Sequence, residues 1–301
     1  MDNRHLEELH KQRNGWVKST KENNFDGGIY KLLTELYPDN AHFIYELLQN
    51  AEDTDATEVV FELSKNELKF IHNGRPFIEK DVEGITSIGQ GTKADDVNQI
   101  GKFGVGFKAV FTYTSSPKIF SGDYNFEIND LVVPLEIKSE DNLEGKTLMK
   151  FPFNNPDKPK EKAFNEIKSG LAKLHDNTLL FLNSIKKIKY NYGNVSNTIE
   201  RENVDEVRVI ISNEHENSIE SWLRFKKHLP NSKKLFVSVA YRISEDIKTK
   251  KEVISPVNGA AEVSSSQSSG QLRRRSASIS ISPNSLTITA IRLPAACFNT
   301  F

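Results

Sequence analysis

Apolar and polar residues recur along this chain with two periods, and each period predicts a different kind of element. A spacing of four residues puts Phe43, Leu47 and Ala51 on one face, so we expect a helix from about residue 41 to residue 53. Alternation predicts strands elsewhere, and the clearest is a hairpin whose strands cover 57–63 and 67–71. The chain therefore combines amphipathic helices with half-buried strands.

The same two periods predict the other elements. We expect a short polar helix before residue 25, a break at 26–28, and further helices at 29–36, 81–85, 158–176 and 218–228. We expect strands at 118–121, 124–128, 146–151, 185–192, 207–211 and 234–241. These elements suggest a helical extension at 1–25, a main domain at 26–190, the start of a second α/β domain at 191–254, and a tail at 255–301.

Composition narrows the class of protein. The chain has 301 residues and a formal net charge of −1, so it offers no clear basic footprint for nucleic acid. No apolar run reaches membrane-spanning length, and the single cysteine, Cys297, excludes an internal disulfide. A cytoplasmic protein is expected. From Val263 onward serine dominates and acidic residues and lysine are absent, which predicts a disordered tail or one that comes from vector readthrough.

The polar face of the helix at 41–53 carries candidate chemistry. Glu46 and Asn50 are four residues apart, and Asp53 follows three residues later, so all three lie on neighbouring turns. A carboxylate, an amide and a second carboxylate in this arrangement can position a water, hold Mg²⁺ and reach a nucleotide. The alternative is the solvated face of an ordinary amphipathic helix.

A glycine-rich segment follows later in the chain. Gly101, Gly104 and Gly106 fall within six residues and open into an apolar run that we expect to be helical. Glycines let successive backbone N–H groups approach an anion, which suits phosphates. The order differs from that of a Rossmann motif and no P-loop is present. The alternative is a tight turn that packs a helix on a sheet; the polar segment at 87–93 before it is either a mobile lid or a surface loop.

Four stretches together resemble one family. They are Glu46-x-x-x-Asn50-Ala51-x-Asp53, His72-Asn73-Gly74-x-Pro76-Phe77, residues 100–107, and Gly145-Lys146-Thr147. The chain resembles the Bergerat-fold ATPases of gyrase B, heat-shock chaperones, histidine kinases and MutL, and is most similar to sacsin-type N-terminal domains, through ELLQNAEDTDATEVVF and IGKFGVGFKAVF. The resemblance covers about residues 25–190. It implies an α+β fold, a two-layer α/β sandwich with a mixed sheet.

The resemblance also implies roles for individual residues. Glu46 matches the general base, Asn50 the Mg²⁺ ligand, and Asp53 a residue near the nucleotide. The segment 86–99 matches the lid, and its Thr92 and Lys93 are the expected contacts. The phosphate loop is matched by Gly101, Lys102, Phe103, Gly104, Val105, Gly106 and Phe107. The base end is matched by His72, Asn73, Gly74, Phe77 and Thr147.

His72 departs from the family pattern, in which an aspartate accepts a hydrogen bond from the adenine amino group. A neutral imidazole nitrogen can accept, whereas a protonated one cannot, so binding would weaken at low pH. The alternatives to acceptance by His72 are that Asn73 takes over this role or that the nucleotide preference changes. A smaller departure is the lysine between Gly145 and Thr147, where the family has a Gly-Thr pair.

We therefore expect a module that binds ATP and Mg²⁺ and hydrolyses ATP slowly, with hydrolysis coupled to lid closure or dimerisation. Its setting would be a larger chaperone-like or defence-type protein, whose other domains, or a second copy of the module, would be its partners. The alternatives are a nucleotide-binding switch without turnover and a degenerate scaffold for protein contacts. Histidine kinase, topoisomerase and mismatch-repair activities are disfavoured.

Overall fold

The computed structural model describes residues 4–34, 42–88, 106–140, 143–174, 176–228 and 236–255. The chain divides into two compact units. The first comprises Met1–His175 and Asn183–Asn197, and the second comprises Asp176–Leu182 and Thr198–Phe301. Among the described residues, no helix has both the length and the apolar character that crossing a bilayer requires.

The first unit places five helices beside a mixed sheet. The helices are α1 (Arg4–Glu22), α2 (Asp26–Thr34), α3 (Phe43–Asp53), α4 (Glu79–Ile85) and α5 (Lys160–Ala172), with a 3₁₀ helix at Phe107–Thr112. The strands are β1 (Glu58–Leu63), β2 (Glu67–His72), β3 (Lys118–Ser121), β4 (Tyr124–Asn129), β5 (Val133–Glu136), β6 (Thr147–Pro152) and β7 (Lys187–Tyr192). Their order is β7-β1-β2-β6-β3-β4-β5. The β1–β7 pair is parallel and the other pairs are antiparallel, so the expected mixed sheet is confirmed.

Helix α3 and the β1–β2 hairpin form where the sequence pattern predicts them. Phe43, Leu47 and Ala51 of α3 are all buried, and the Phe43 ring lies 5.2 Å from that of Tyr113. Both hairpin strands alternate between half-buried and buried residues along their whole length. Burial of one such apolar side chain contributes about 1.5–3 kcal/mol. The apolar faces of α3 and of the hairpin meet in one core, and for this reason the periodicity of the sequence predicts where these elements lie.

A fully buried lysine joins three segments of the first unit. The Lys108 ammonium donates to the carbonyl of Ile85 at 2.6 Å and to that of Leu131 at 2.7 Å. These bonds tie the 3₁₀ helix to the end of α4 and to the turn before β5. Burial, together with the smaller effect of the nearby Arg13 charge, lowers the pKa of Lys108 to about 7. These contacts are structural, and no sequence pattern singles Lys108 out.

The second unit is an antiparallel meander in the order β8-β9-β10-β11-β12. Its strands are β8 (Val195–Asn203), which begins in the first unit, β9 (Arg208–Asn213), β10 (Ser218–His228), β11 (Phe236–Glu245) and β12 (Glu252–Ser255). A 3₁₀ helix covers Asp176–Leu180. The Arg201 guanidinium donates to the carbonyls of Leu179 and Leu182, and that of Arg224 donates to the carbonyl of Leu180.

Two predicted elements are wrong. The segment predicted as a helix at 218–228 is strand β10, because antiparallel pairing with β9 and β11 satisfies its backbone on both edges and buries Trp222. The predicted break at 26–28 is the first turn of α2, which begins at Asp26; the chain instead turns at Asn24, whose φ is 57°. Strands β5, β8 and β12 were not predicted.

Candidate functional site

The Glu46 carboxylate lies directly against Gly106. A Cβ built on Gly106 would stand 2.1 Å from Oε2 of Glu46 and 2.4 Å from its Cδ, so only a glycine fits there without moving the carboxylate. The Glu46 side chain is 18% exposed, and its Oε1 lies 4.0 Å from Nε2 of His42. The structure thus joins the acid of α3 to the last glycine of the glycine-rich segment. We call Glu46, Asn50 and Gly106 the acidic end.

Asn50 and Asp53 occupy the following turns of α3. Asn50 is buried, with 5% of its surface exposed, and Asp53 is half-buried. The helix therefore carries the amide at a protected position, one turn after the partly accessible Glu46 carboxylate. An amide oxygen and a carboxylate are ligand types that Mg²⁺ accepts. In the described part of the chain, no group of three His, Cys, Asp or Glu side chains has a metal-binding arrangement.

A second polar cluster forms where β2, β3 and β6 meet. His72 pairs with Thr147 across the β2–β6 ladder, and both side chains are buried. The Thr147 hydroxyl shares a 2.5 Å hydrogen bond with that of Ser121, and the Phe77 N–H donates to the Ser121 oxygen at 2.9 Å. We call His72, Gly74, Phe77, Ser121 and Thr147 the strand end. Four of the five predicted base-end residues, all except Asn73, are thus brought together with Ser121.

The His72 ring is neutral and has a defined tautomer. Burial lowers the pKa of His72 to about 4, so the ring carries no charge at pH 7. The Gly74 N–H donates to Nδ1 of His72 at 3.2 Å. Because Nδ1 is an acceptor, the single proton of the neutral ring resides on Nε2. His72 therefore offers a donor from Nε2, and this differs from the acceptor role that the sequence suggested.

Gly74 fixes the backbone beside this cluster. A Cβ at Gly74 would lie 2.1 Å from Oγ1 of Thr54 and 2.8 Å from the Thr54 carbonyl oxygen. The Thr54 carbonyl also accepts the Arg75 N–H at 2.9 Å. Thr54 directly follows the last residue of α3, so one helix reaches both ends: Glu46 contacts Gly106, and Thr54 contacts Gly74.

Asn73 holds the start of β1. Its side-chain oxygen accepts the N–H groups of Thr57 and Glu58 at 2.9 and 3.0 Å, and its amide donates to the Thr57 hydroxyl at 2.8 Å. These contacts give Asn73 a structural role, and a nucleotide contact by this residue stays a prediction. Arg75 and Asp81 then form a two-pronged ion pair, with nitrogen–oxygen distances of 2.5 and 3.1 Å, that fixes the chain between β2 and α4.

Several predicted contacts lie outside the described residues: Thr92, Lys93, Gly101, Lys102, Phe103, Gly104 and Val105. Phe107 lies within the described residues, and its side chain is buried. It is the first residue of the 3₁₀ helix Phe107–Thr112, which stands where the sequence predicts a helix. Sequence reasoning missed Ser121, which no motif marks. It also gave no role to two residues of the stretch ELLQNAEDTDATEVVF: Thr54, and Glu52, whose carboxylate accepts the N–H groups of Asn183, Ser184 and Ile185.

Comparisons with known proteins point to one kind of domain. Residues 69–155 match the family model described as "Sacsin domain". The chain is 31% identical over 186 residues to "Protein NO VEIN" of Arabidopsis thaliana and 25% identical over 216 residues to "Sacsin" of Homo sapiens. These matches cover 53% and 52% of this chain, but only 7% and 5% of the two relatives, so the chain spans less than a tenth of either.

A solved structure described as "Crystal Structure of N terminal domain of a DNA repair protein" is also similar to this chain. The TM-score is 0.43 and the sequence identity 14%, and the match covers 72% of this chain and 71% of the other. The family match at residues 69–155 and the two sequence relatives support a sacsin-like domain in this chain.

Proposed function

We propose that the first unit is a Bergerat-type two-layer ATP-binding module that hydrolyses ATP slowly with the help of Mg²⁺. The observation that carries the proposal is the contact between the Glu46 carboxylate and Gly106. A general base has to lie where the attacked phosphate is held, and the glycine-rich segment is the phosphate-binding candidate. The contact brings these two parts together from distant positions in the sequence.

The residues present are compatible with Mg²⁺ and with a nucleotide. Asn50 is protected on α3 one turn from Glu46, and its amide oxygen would be the protein ligand of the ion. Mg²⁺ is commonly held by one or two protein oxygens together with phosphates and waters. When bound, the ion neutralises phosphate charge. The strand end would receive the base, in keeping with the resemblance of His72, Gly74, Phe77 and Thr147 to the family's base-end residues.

The chain's own residues would act by position and by electrostatics. Glu46, 18% exposed, is accessible enough to accept a proton from a water and is held close to the backbone of Gly106. Because Gly106 has no side chain, the carboxylate can lie directly against its backbone, next to the segment proposed to hold the phosphates. General-base action of this kind contributes about 10²–10⁴-fold to a rate. The relatives are many times longer than this chain, so we propose that turnover is coupled to lid closure or dimerisation within a larger protein.

The test is phosphate release from Mg-ATP by the wild-type chain and by Glu46→Gln, with ATP affinity measured in parallel by calorimetry. We expect turnover to fall by about 10²–10⁴-fold while ATP affinity changes little, because the amide keeps the shape but cannot take a proton. Glu7→Gln, at an exposed site of α1, is the matched control and should behave as wild type. Turnover that survives in Glu46→Gln would remove Glu46 as the base, and absence of ATP binding would refute the module itself.

A further inference from the structure

The strand end differs from a carboxylate site in the hydrogen bond that it offers. Nδ1 of His72 accepts the Gly74 N–H at 3.2 Å, so this nitrogen has no proton to give and its lone pair is in use. The proton of the neutral ring is on Nε2. Any partner of Nε2 must therefore be an acceptor.

The surroundings hold the ring in this state. The ring is 2% exposed, its centroid lies 5.8 Å from that of Phe70, and the β2–β6 ladder fixes its backbone opposite Thr147. Burial lowers the pKa of His72 to about 4, which keeps it neutral through the physiological range. A 180° flip of the ring would put Cδ2 in the place of Nδ1 and break the bond from Gly74. The donor at Nε2 is therefore a fixed feature of this end.

The neighbouring hydroxyls do not supply a fixed acceptor. The Ser121 oxygen already accepts the Phe77 N–H at 2.9 Å, and one hydroxyl proton is used in the 2.5 Å bond between Ser121 and Thr147. The other hydroxyl proton of this pair is available to donate. Hydroxyls can give or take a hydrogen bond, so the fixed donor of His72 decides the preference.

We propose that His72 makes the strand end select a 6-oxopurine nucleotide over an adenine nucleotide; this rests on the proposed function, which assigns the base to the strand end. A 6-oxopurine presents two acceptors, O6 and N7, along this edge. Adenine presents N7 together with an exocyclic amino group, which donates. A fixed donor facing position 6 pairs with the 6-oxo oxygen, whereas in adenine it faces the amino group and N7 is the only acceptor left on this edge.

The probe is inosine triphosphate, because its base has the 6-oxo group and no other added substituent. Calorimetric titration of the full chain with Mg-ITP and Mg-ATP should give about tenfold tighter binding of ITP. This is the effect expected when ITP makes one hydrogen bond with His72 and ATP leaves that donor unpaired. His72→Asp, which offers an acceptor, should reverse the order. His215→Asp, the same change at an exposed histidine of the second unit, should leave the ratio as in wild type.

His72→Gln covers the case in which a buried aspartate prevents folding. Its amide can rotate to present either a donor or an acceptor, so the ITP-to-ATP ratio should approach one. Binding of ATP equal to or tighter than that of ITP by the wild-type chain would overturn the base preference and leave the proposed function standing. An unchanged ratio in folded His72→Gln would remove His72 as the selecting residue. Failure of both nucleotides to bind would overturn the base preference together with the proposed function.

Discussion

The two ends of the candidate site are held together by different means. At the acidic end, one side chain of α3 meets a glycine, and the contact is between the Glu46 carboxylate and the space that a Cβ would fill at Gly106. At the strand end, the register of β2 against β6 and a hydrogen bond between two hydroxyls position His72, Thr147 and Ser121. The contact at the acidic end is made by the end of one side chain, whereas the contacts at the strand end are set by hydrogen-bonded backbone.

The ends also differ in charge and in access to solvent. Glu46 is partly exposed and keeps an ionisable group within reach of water. His72 and Thr147 are buried, and burial holds the His72 ring neutral. Electrostatic effects are stronger in the dry environment, whereas solvent screens the exposed group. We therefore expect a change at Glu46 to cost the fold less than a change at His72 or Thr147.

The largest expected difference between the two ends is the effect of low pH on the free energy of unfolding, which arises at the strand end. The folded pKa of His72 is about 4, below the value near 6.5 of an unfolded chain. Between these values the unfolded chain binds a proton that the folded chain does not bind, so stability is lost as the pH falls from 6.5 to 4. The loss should be about 3 kcal/mol, measured by urea unfolding at stepped pH.

The contribution of His72 is isolated by His72→Gln, which cannot titrate. The wild-type chain should lose about 3 kcal/mol more than this variant between pH 6.5 and pH 4, because all other titrating groups are shared. His215→Gln is the matched control, since this histidine is exposed, and it should keep the wild-type slope. Equal slopes for wild type and His72→Gln would show that the ring at the strand end is not held neutral.

Gly106→Ala tests the acidic end. The backbone at Gly106 has φ −63° and ψ −43°, which alanine adopts freely, so the new methyl group acts only through the Glu46 carboxylate. The carboxylate must move, and a displacement of this size should lower ATP turnover by about 10²-fold while the melting temperature shifts little. Gly15→Ala, which meets nothing within 4 Å on α1, is the control for added helix propensity. Full turnover in Gly106→Ala would contradict the proposed role of this contact.

The residues of the acidic end could be singled out from the sequence because each lies in a local pattern, although the contact between Glu46 and Gly106 could not. Glu46 and Asn50 lie on one helix whose apolar stripe is plain, and Gly106 lies in a visible glycine run. The arrangement of the strand end could not be predicted in this way. His72 and Thr147 become neighbours only through the β2–β6 register, and Ser121 joins them through the β3–β6 pairing. No single-sequence pattern specifies which residues of distant strands face each other.

The missed strands have a related cause. The buried residues of β8 are Asn197, Ile199 and Arg201, so two of the three positions on its inner face are polar. Arg201 is buried because carbonyls of the segment Asp176–Leu182 accept its hydrogen bonds. Hydropathy alternation cannot reveal a strand whose core face is polar and whose compensation comes from elsewhere in the fold. The sequence of β10 predicts a helix, but its pairing with β9 and β11 makes it a strand.

Gly74→Ala gives the smallest effect and the sharpest contrast with Gly106→Ala. Neither glycine has the positive φ that disfavours alanine, so the two substitutions differ only in what the methyl group meets. At Gly74 it meets the Thr54 side chain at 2.1 Å and the Thr54 carbonyl oxygen at 2.8 Å, and a backbone group cannot swing aside. We expect a loss of about 2 kcal/mol in the free energy of unfolding by urea, the usual cost of overpacking.

The two glycines together decide whether the ends differ as proposed. Since Thr54 closes α3, the Gly74→Ala change should strain the junction between that helix and the β2 strand while Glu46 stays against Gly106. At saturating ATP, the folded fraction of Gly74→Ala should then retain turnover even where its ATP affinity falls, and Gly106→Ala should retain stability and lose turnover. If both variants lost stability equally, the contact at Gly106 would be a structural one, and the acidic end would belong to the fold as firmly as the strand end does.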